Sequence, residues 1–85
     1  MTACIVGWSH LPFGKHEGSS VENLVVEAAT AALVDAGIGA ADVDEIWLGH
    51  FNGGFVAQDF TSSLVLQADP ALRFKPSTRV ENACA

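Results

Sequence analysis

Basic residues are scarce in this chain. Four Lys and Arg stand against ten Asp and Glu, for a net charge of −6. No cluster of basic side chains exists, which argues against a nucleic-acid surface or an anionic-membrane surface. Charge of either sign is sparse, at 16% of residues, while hydrophobic residues reach 49%. A domain of this size buries only about 60–65% of the surface that its unfolded chain exposes, so it is marginal alone. The apolar excess is therefore expected to be surface that further polypeptide covers.

Cysteine is limited to Cys4 and Cys84, near opposite ends of the chain. One pair cannot build the disulfide framework of a small secreted scaffold, so free thiols in a reducing compartment are expected. The His and Cys spacings form no tetrahedral ligand set, and no metal is implied. No apolar run approaches the roughly 20 residues of a membrane span. The opening Met1-Thr-Ala-Cys-Ile-Val-Gly7 lacks the basic region and apolar core of a signal peptide. A cytoplasmic protein is the expectation. There is no internal repeat, low-complexity tract or linker.

Strand and helix patterns alternate along the chain. Ala3–Trp8 is a short apolar run bounded by a loop rich in Gly, His and Pro, and it reads as a strand buried on both faces. Ser19-Ser20-Val21-Glu22 fits a capping box with Ser19 as N-cap. Val21, Leu24, Val25, Ala28, Ala29, Ala32, Leu33 and Ala36 then recur at helical spacing over four turns. Gly37 suits the left-handed stop of that helix. An acidic connector, 38–44, leads to a second buried strand at Glu45–Gly49. A Gly-rich loop follows at 50–58. A second helix is expected over 59–68, capped by Asp59 or Thr61 and ended by Asp69-Pro70. Residues 71–76 read as a loop, and a third strand spans about Thr78–Glu81. Strands alternating with helices imply parallel pairing through right-handed crossovers, the pattern of an α/β layer.

The last residues carry the chemistry. After Arg79-Val80-Glu81, Asn82-Ala83 can form a sharp turn, and Cys84 sits where the next helix would begin. Two readings of Cys84 are open from the residues alone. Most free cysteines are small buried apolar groups. A thiol at a helix N-terminus instead faces free N–H groups and the positive end of the dipole, which favours the nucleophilic thiolate. The loop beyond a strand end is also where open α/β sheets bind ligands. The stop at Ala85 falls within a strand-to-helix turn, so residues 1–85 are expected to be the opening part of a longer domain.

Other candidates have simpler readings. His10, His16 and His50 are expected in loops or at the surface; His50 ends the second strand, at the edge where a pocket would form. Cys4 is expected to be core packing. Gly53-Gly54 is too short for a phosphate cradle and reads as a tight loop. Phe51, Phe55 and Phe60 suit either a satellite core or a contact with a partner subunit.

Val80-Glu81-Asn82-Ala83-Cys84-Ala85 resembles the segment around the acyl-accepting cysteine of thiolases, closest to the sterol-carrier-protein-type branch and related acetyl-CoA acetyltransferases. Ile5-Val6-Gly7 with its Pro-and-Phe loop is similar to the family's first strand and loop. Val21–Gly37 and Asp42-Val43-Asp44-Glu45-Ile46 are similar to its first helix and second strand. The 49–59 loop is similar to the segment that leads to its second helix. The resemblance covers the whole chain but only about the first fifth of a family member. Ketoacyl synthases and hydroxymethylglutaryl-CoA synthase also carry a cysteine at a helix start; Glu-Asn-Ala-Cys favours the thiolases.

The resemblance implies an α/β chain that is the N-terminal part of a five-layer αβαβα thiolase fold. It implies acyl-CoA C-acetyltransfer by a ping-pong route with Cys84 as the acyl acceptor. Coenzyme A thioesters would be substrates, and no cofactor would be bound permanently. The backbone N–H of Cys84 would help hold the oxyanion. The base and enolate-stabilising residues of the family lie downstream, and none of the three histidines is given their roles. Expected partners are acyl-CoA, the remainder of the thiolase chain and further copies in a homodimer or homotetramer, with Arg79–Asn82 near a two-fold contact. The alternatives are an inactive assembly fragment, a thiolase-like assembly protein or a ketoacyl synthase.

Overall fold

The computed structural model describes residues 2–49 and 61–81. The long amphipathic pattern forms helix α1, Val21–Ala36. All eight residues of the expected apolar face are partly covered, while Asn23, Glu27, Thr30 and Asp35 are exposed. The start is set one residue later than expected. Ser20, with φ −94° and ψ 167°, is the N-cap, and its Oγ accepts from Asn23 N–H at 3.1 Å. Glu22 therefore sits at the second helical position, not the third that a capping box requires. Its charge still lies in the first turn, where the dipole favours it.

Gly37 ends α1 with φ 71°. Its N–H donates to Val34 O at 3.1 Å, and Ile38 N–H donates to Leu33 O at 3.3 Å. These two bonds form a Schellman closure, which satisfies carbonyls that the helix leaves open.

Strand β1, Ile46–Gly49, and strand β2, Ser77–Val80, pair in parallel. Ile46 stands opposite Ser77 and Gly49 opposite Val80. Both strands lie within one residue of the expected positions. The burial expected for β1 is corrected. Its pattern alternates, with Ile46 and Leu48 half-buried and Trp47 64% exposed. A strand covered on one face only shows this period of two.

Residues 61–68 form a 3-10 helix, Thr61–Ala68, that packs against α1 and both strands. Asp69-Pro70 ends it as expected and also starts a turn that runs into the expected 71–76 loop. Pro70–Leu72 is a second 3-10 turn, with Asp69 Oδ1 accepting from Ala71 N–H at 2.8 Å. Proline at a first helical position loses no needed hydrogen bond, which suits it to this role. A third short turn, Ala40–Asp42, lies inside the acidic connector, where Asp42 Oδ2 accepts from Gly39 N–H at 3.1 Å.

The core gathers where these pieces meet. Ala40, Val65 and Leu72 are buried, and Val25, Ala29, Leu33, Val43, Ile46 and Leu48 pack around them. Leu72 is 2% exposed, and burying a leucine to that degree contributes about 2 kcal/mol.

The first expected strand is not formed. Residues 3–8 have no ladder pairing, and Ile5, Val6 and Trp8 are 92%, 67% and 68% exposed. Cys4 is exposed too, so it is not core packing. The segment runs antiparallel along α1. Gly7 lies against Ala36, Trp8 N–H donates to Asp35 Oδ2 at 3.0 Å, and Ser9 Oγ donates to Ala28 O at 2.7 Å. The physical reason lies in its composition. A run that is apolar on both faces needs cover on both, and α1 offers cover on one.

Candidate functional site

The strand that leads to Cys84 is fixed at its entry from two sides. Ile46 N–H donates to Pro76 O at 2.9 Å, which joins the start of β2 to β1. Ser77 Oγ donates to Ser62 O at 2.6 Å, which joins it to the 3-10 helix. The parallel register then places Gly49 beside Val80, so both strands finish at one edge of the sheet. In an open parallel sheet that edge is the ligand-binding edge. Cys84 and His50 follow these two strand ends in sequence, and both lie outside the described residues. Phe51, Gly53, Gly54, Phe55, Asp59 and Phe60 lie outside them as well.

The helix beside β2 begins with two buried polar residues: Thr61, expected as a possible cap but placed within the helix, and Ser62, to which the sequence pointed no role. Thr61 is fully buried and Ser62 is nearly so. Among the described residues, Thr61 Oγ1 has no hydrogen-bond partner. No local pattern announces these roles. Thr-Ser-Ser looks like an ordinary helix start, and the Ser62–Ser77 link spans 15 residues of sequence.

The two described histidines join no such cluster, in keeping with their reading as loop residues. His16 Nε2 lies 2.8 Å from Pro12 O. His10 packs edge-on to Phe13, with ring centroids 4.8 Å apart. Among the described residues, no group of three or more His, Cys, Asp or Glu could hold a metal ion. No helix among them is long and apolar enough to cross a membrane.

Two open apolar grooves run between α1, β1 and the N-terminal segment. One, of about 270 Å³, lies between Val6-Gly7, Leu33 and Ile46. The other, of about 540 Å³, lies between Ser9–Leu11, Leu24 and Leu48. Both are lined mainly by apolar side chains, with Glu45 at the first and Ser9 and His10 at the second. They fit space left by incomplete layering better than a site built for a charged ligand.

No protein-family model matches the chain. It is similar to two archaeal proteins, each called acetyl-CoA acetyltransferase. It is 40% identical over 82 residues to that of Methanocaldococcus jannaschii. It is 41% identical over 83 residues to that of Methanothermobacter thermautotrophicus. Each match takes in 95% of this chain and 21% of the relative. The chain thus spans about a fifth of the length of the curated relatives it matches.

Proposed function

We propose that this chain is the N-terminal part of a thiolase-type acetyl-CoA acetyltransferase. The observation that carries the reading is the 40% and 41% identity to the two archaeal acetyltransferases over nearly the whole chain. In this reading Cys84 is the nucleophile. Its thiolate attacks the thioester carbonyl of an acyl-CoA. The tetrahedral intermediate collapses with loss of the CoA thiolate, which takes up a proton, and an acyl-cysteine remains. A second acyl-CoA, deprotonated at its α-carbon, attacks that thioester. A carbon–carbon bond forms and the Cys84 thiolate leaves. The reverse sequence is thiolytic cleavage of a 3-ketoacyl-CoA. Two steps through a thioester replace one difficult displacement, because the thiolate is both a good nucleophile and a good leaving group.

The finer parts of the proposal follow the same resemblance. The fold is the opening part of a thiolase αβαβα domain. The protein belongs near the sterol-carrier-protein-type branch, works in the cytoplasm in lipid metabolism and assembles as a homodimer or homotetramer. The direct test is acetylation of the full-length protein by acetyl-CoA, followed by peptide mapping. An acetyl group on Cys84, lost in Cys84→Ala, supports the reading. Full acetyl-transfer activity in Cys84→Ala overturns it.

A second reading has its own observation. Ile5, Phe13 and Phe74 are each more than nine-tenths exposed, and Trp8 and Trp47 about two-thirds. Such a surface favours an assembly segment that works only when covered by the remainder of its protein, with no chemistry of its own. Mixing separately expressed pieces tests it. Activity that appears only on mixing supports it, and activity of the 85-residue piece alone refutes it.

A further inference from the structure

Phe74 is placed in a way that folding of the described residues does not explain. It is 99% exposed, so its ring buries nothing. Its φ is 68°, and no other non-glycine among the described residues has a positive φ. Left-handed backbone is costly for a bulky residue and is readily adopted by glycine. Phe74 therefore carries two penalties at one position, a strained backbone and a wetted ring.

The turn that presents it is closed by a backbone hydrogen bond. Lys75 N–H donates to Leu72 O at 3.1 Å, which closes the turn around Arg73 and Phe74. On one side Leu72 is buried in the core at 2% exposure. On the other, Lys75 Nζ donates to Ala41 O at 3.4 Å. Ile5 and Phe13 are nearly as exposed, but they lie in a segment without regular structure. The flanks of Phe74 matter as well. Arg73 and Lys75 are two of only four basic residues in a chain of net charge −6.

We propose that Phe74 is the anchor by which this segment docks on the remaining part of its own, longer polypeptide. The receiving surface is an apolar socket with carboxylates on its rim. The ring fills the socket, and Arg73 and Lys75 meet the rim. Such a pre-formed aromatic plug loses little conformational freedom on docking, as interface hot spots do. This inference rests on the reading that the chain is about a fifth of its protein, and it does not depend on the acyl chemistry.

The first test needs no variant. Hydroxyl-radical footprinting of the full-length wild-type protein reads the accessibility of Phe74 directly. Protection relative to the same peptide in the denatured protein is expected; oxidation at the denatured rate overturns the proposal. The second test compares Phe74→Gly with Phe74→Leu by thermal unfolding of the full-length protein. Glycine relieves the left-handed strain, so an uncovered Phe74 predicts an unchanged or higher Tm. The docked anchor predicts a lower Tm for glycine and a smaller loss for leucine. Acetylation of Cys84 is scored on the same wild-type sample, so failure of the docking and failure of the acyltransferase reading are told apart.

Discussion

Ser77 and Ser62 join the strand that leads to Cys84 to the helix that supports it. The Ser77 hydroxyl donates to the Ser62 carbonyl at 2.6 Å, in a part-buried position. Such a bond contributes about 1 kcal/mol net, and leaving a buried carbonyl unsatisfied costs about 1–3 kcal/mol. Ser77→Ala is expected to lower the unfolding free energy by roughly that amount, and Ser77→Thr to retain most of it. Denaturant unfolding of the three proteins checks this. Equal midpoints for all three would mean that the bond holds nothing.

Gly7 lies against the C-terminal turn of α1. A Cβ added there would meet the Cβ and backbone N of Ala36 at 2.6 Å. Backbone cannot swing aside as a side chain can, so the N-terminal segment would have to move off the helix. Gly7→Ala is expected to cost about 1–3 kcal/mol, as overpacking does. Gly39→Ala is the control, because its nearest neighbour would be Asp42 Oδ2 at 3.7 Å. Equal changes in stability for both substitutions would contradict this close packing.

The two serines before α1 separate two versions of its start. Ser20 makes the capping bond to Asn23. Ser20→Ala is expected to cost about 1 kcal/mol, the usual value of a lost N-cap. Ser19→Ala is expected to stay within about 0.5 kcal/mol, as surface changes do. The reverse order would restore Ser19 as the cap.

Leu72 is the most buried apolar side chain of the described core. Val65 and Ala40 share its cluster. Leu72→Ala is expected to cost about 2–5 kcal/mol, with the upper part reached if the space left behind stays empty. A loss within experimental error, measured by denaturant unfolding, would mean that this cluster is not the centre of the packing.

Helix α1 was legible because eight apolar residues repeat at one period over four turns, and tertiary packing had only to accept that face. The parallel β1–β2 pair is legible because a helical stretch separates two short segments with strand pattern, only the first of which is an apolar run. Ala3–Trp8 shows where such reading stops. Its composition describes a strand with two covered faces, but composition cannot say whether the cover is present. The missing cover also explains why Cys4 is exposed and why Trp47 stands open on β1. Asp69-Pro70 signals the end of a helix, although Asp before Pro is equally a beginning, and Pro70–Leu72 is the turn it begins. The pairing of Ser62 with Ser77 has no local signal, because it depends on where the chain returns after 15 residues. The proposed chemistry rests on the run from Val80 to Ala85 and its resemblance to an acyl-accepting segment, and its last four residues lie outside the described ones.

Acylation of Cys84 tests the acyltransferase reading at its reacting atom. The full-length protein would be incubated with acetyl-CoA, quenched in acid and mapped by peptide mass spectrometry. The account predicts one acetyl group on the Cys84 peptide, none on Cys4, removal by hydroxylamine and loss in Cys84→Ala. An unmodified Cys84 in a sample that turns over acetyl-CoA would contradict it, because the acyl group would then travel by another residue.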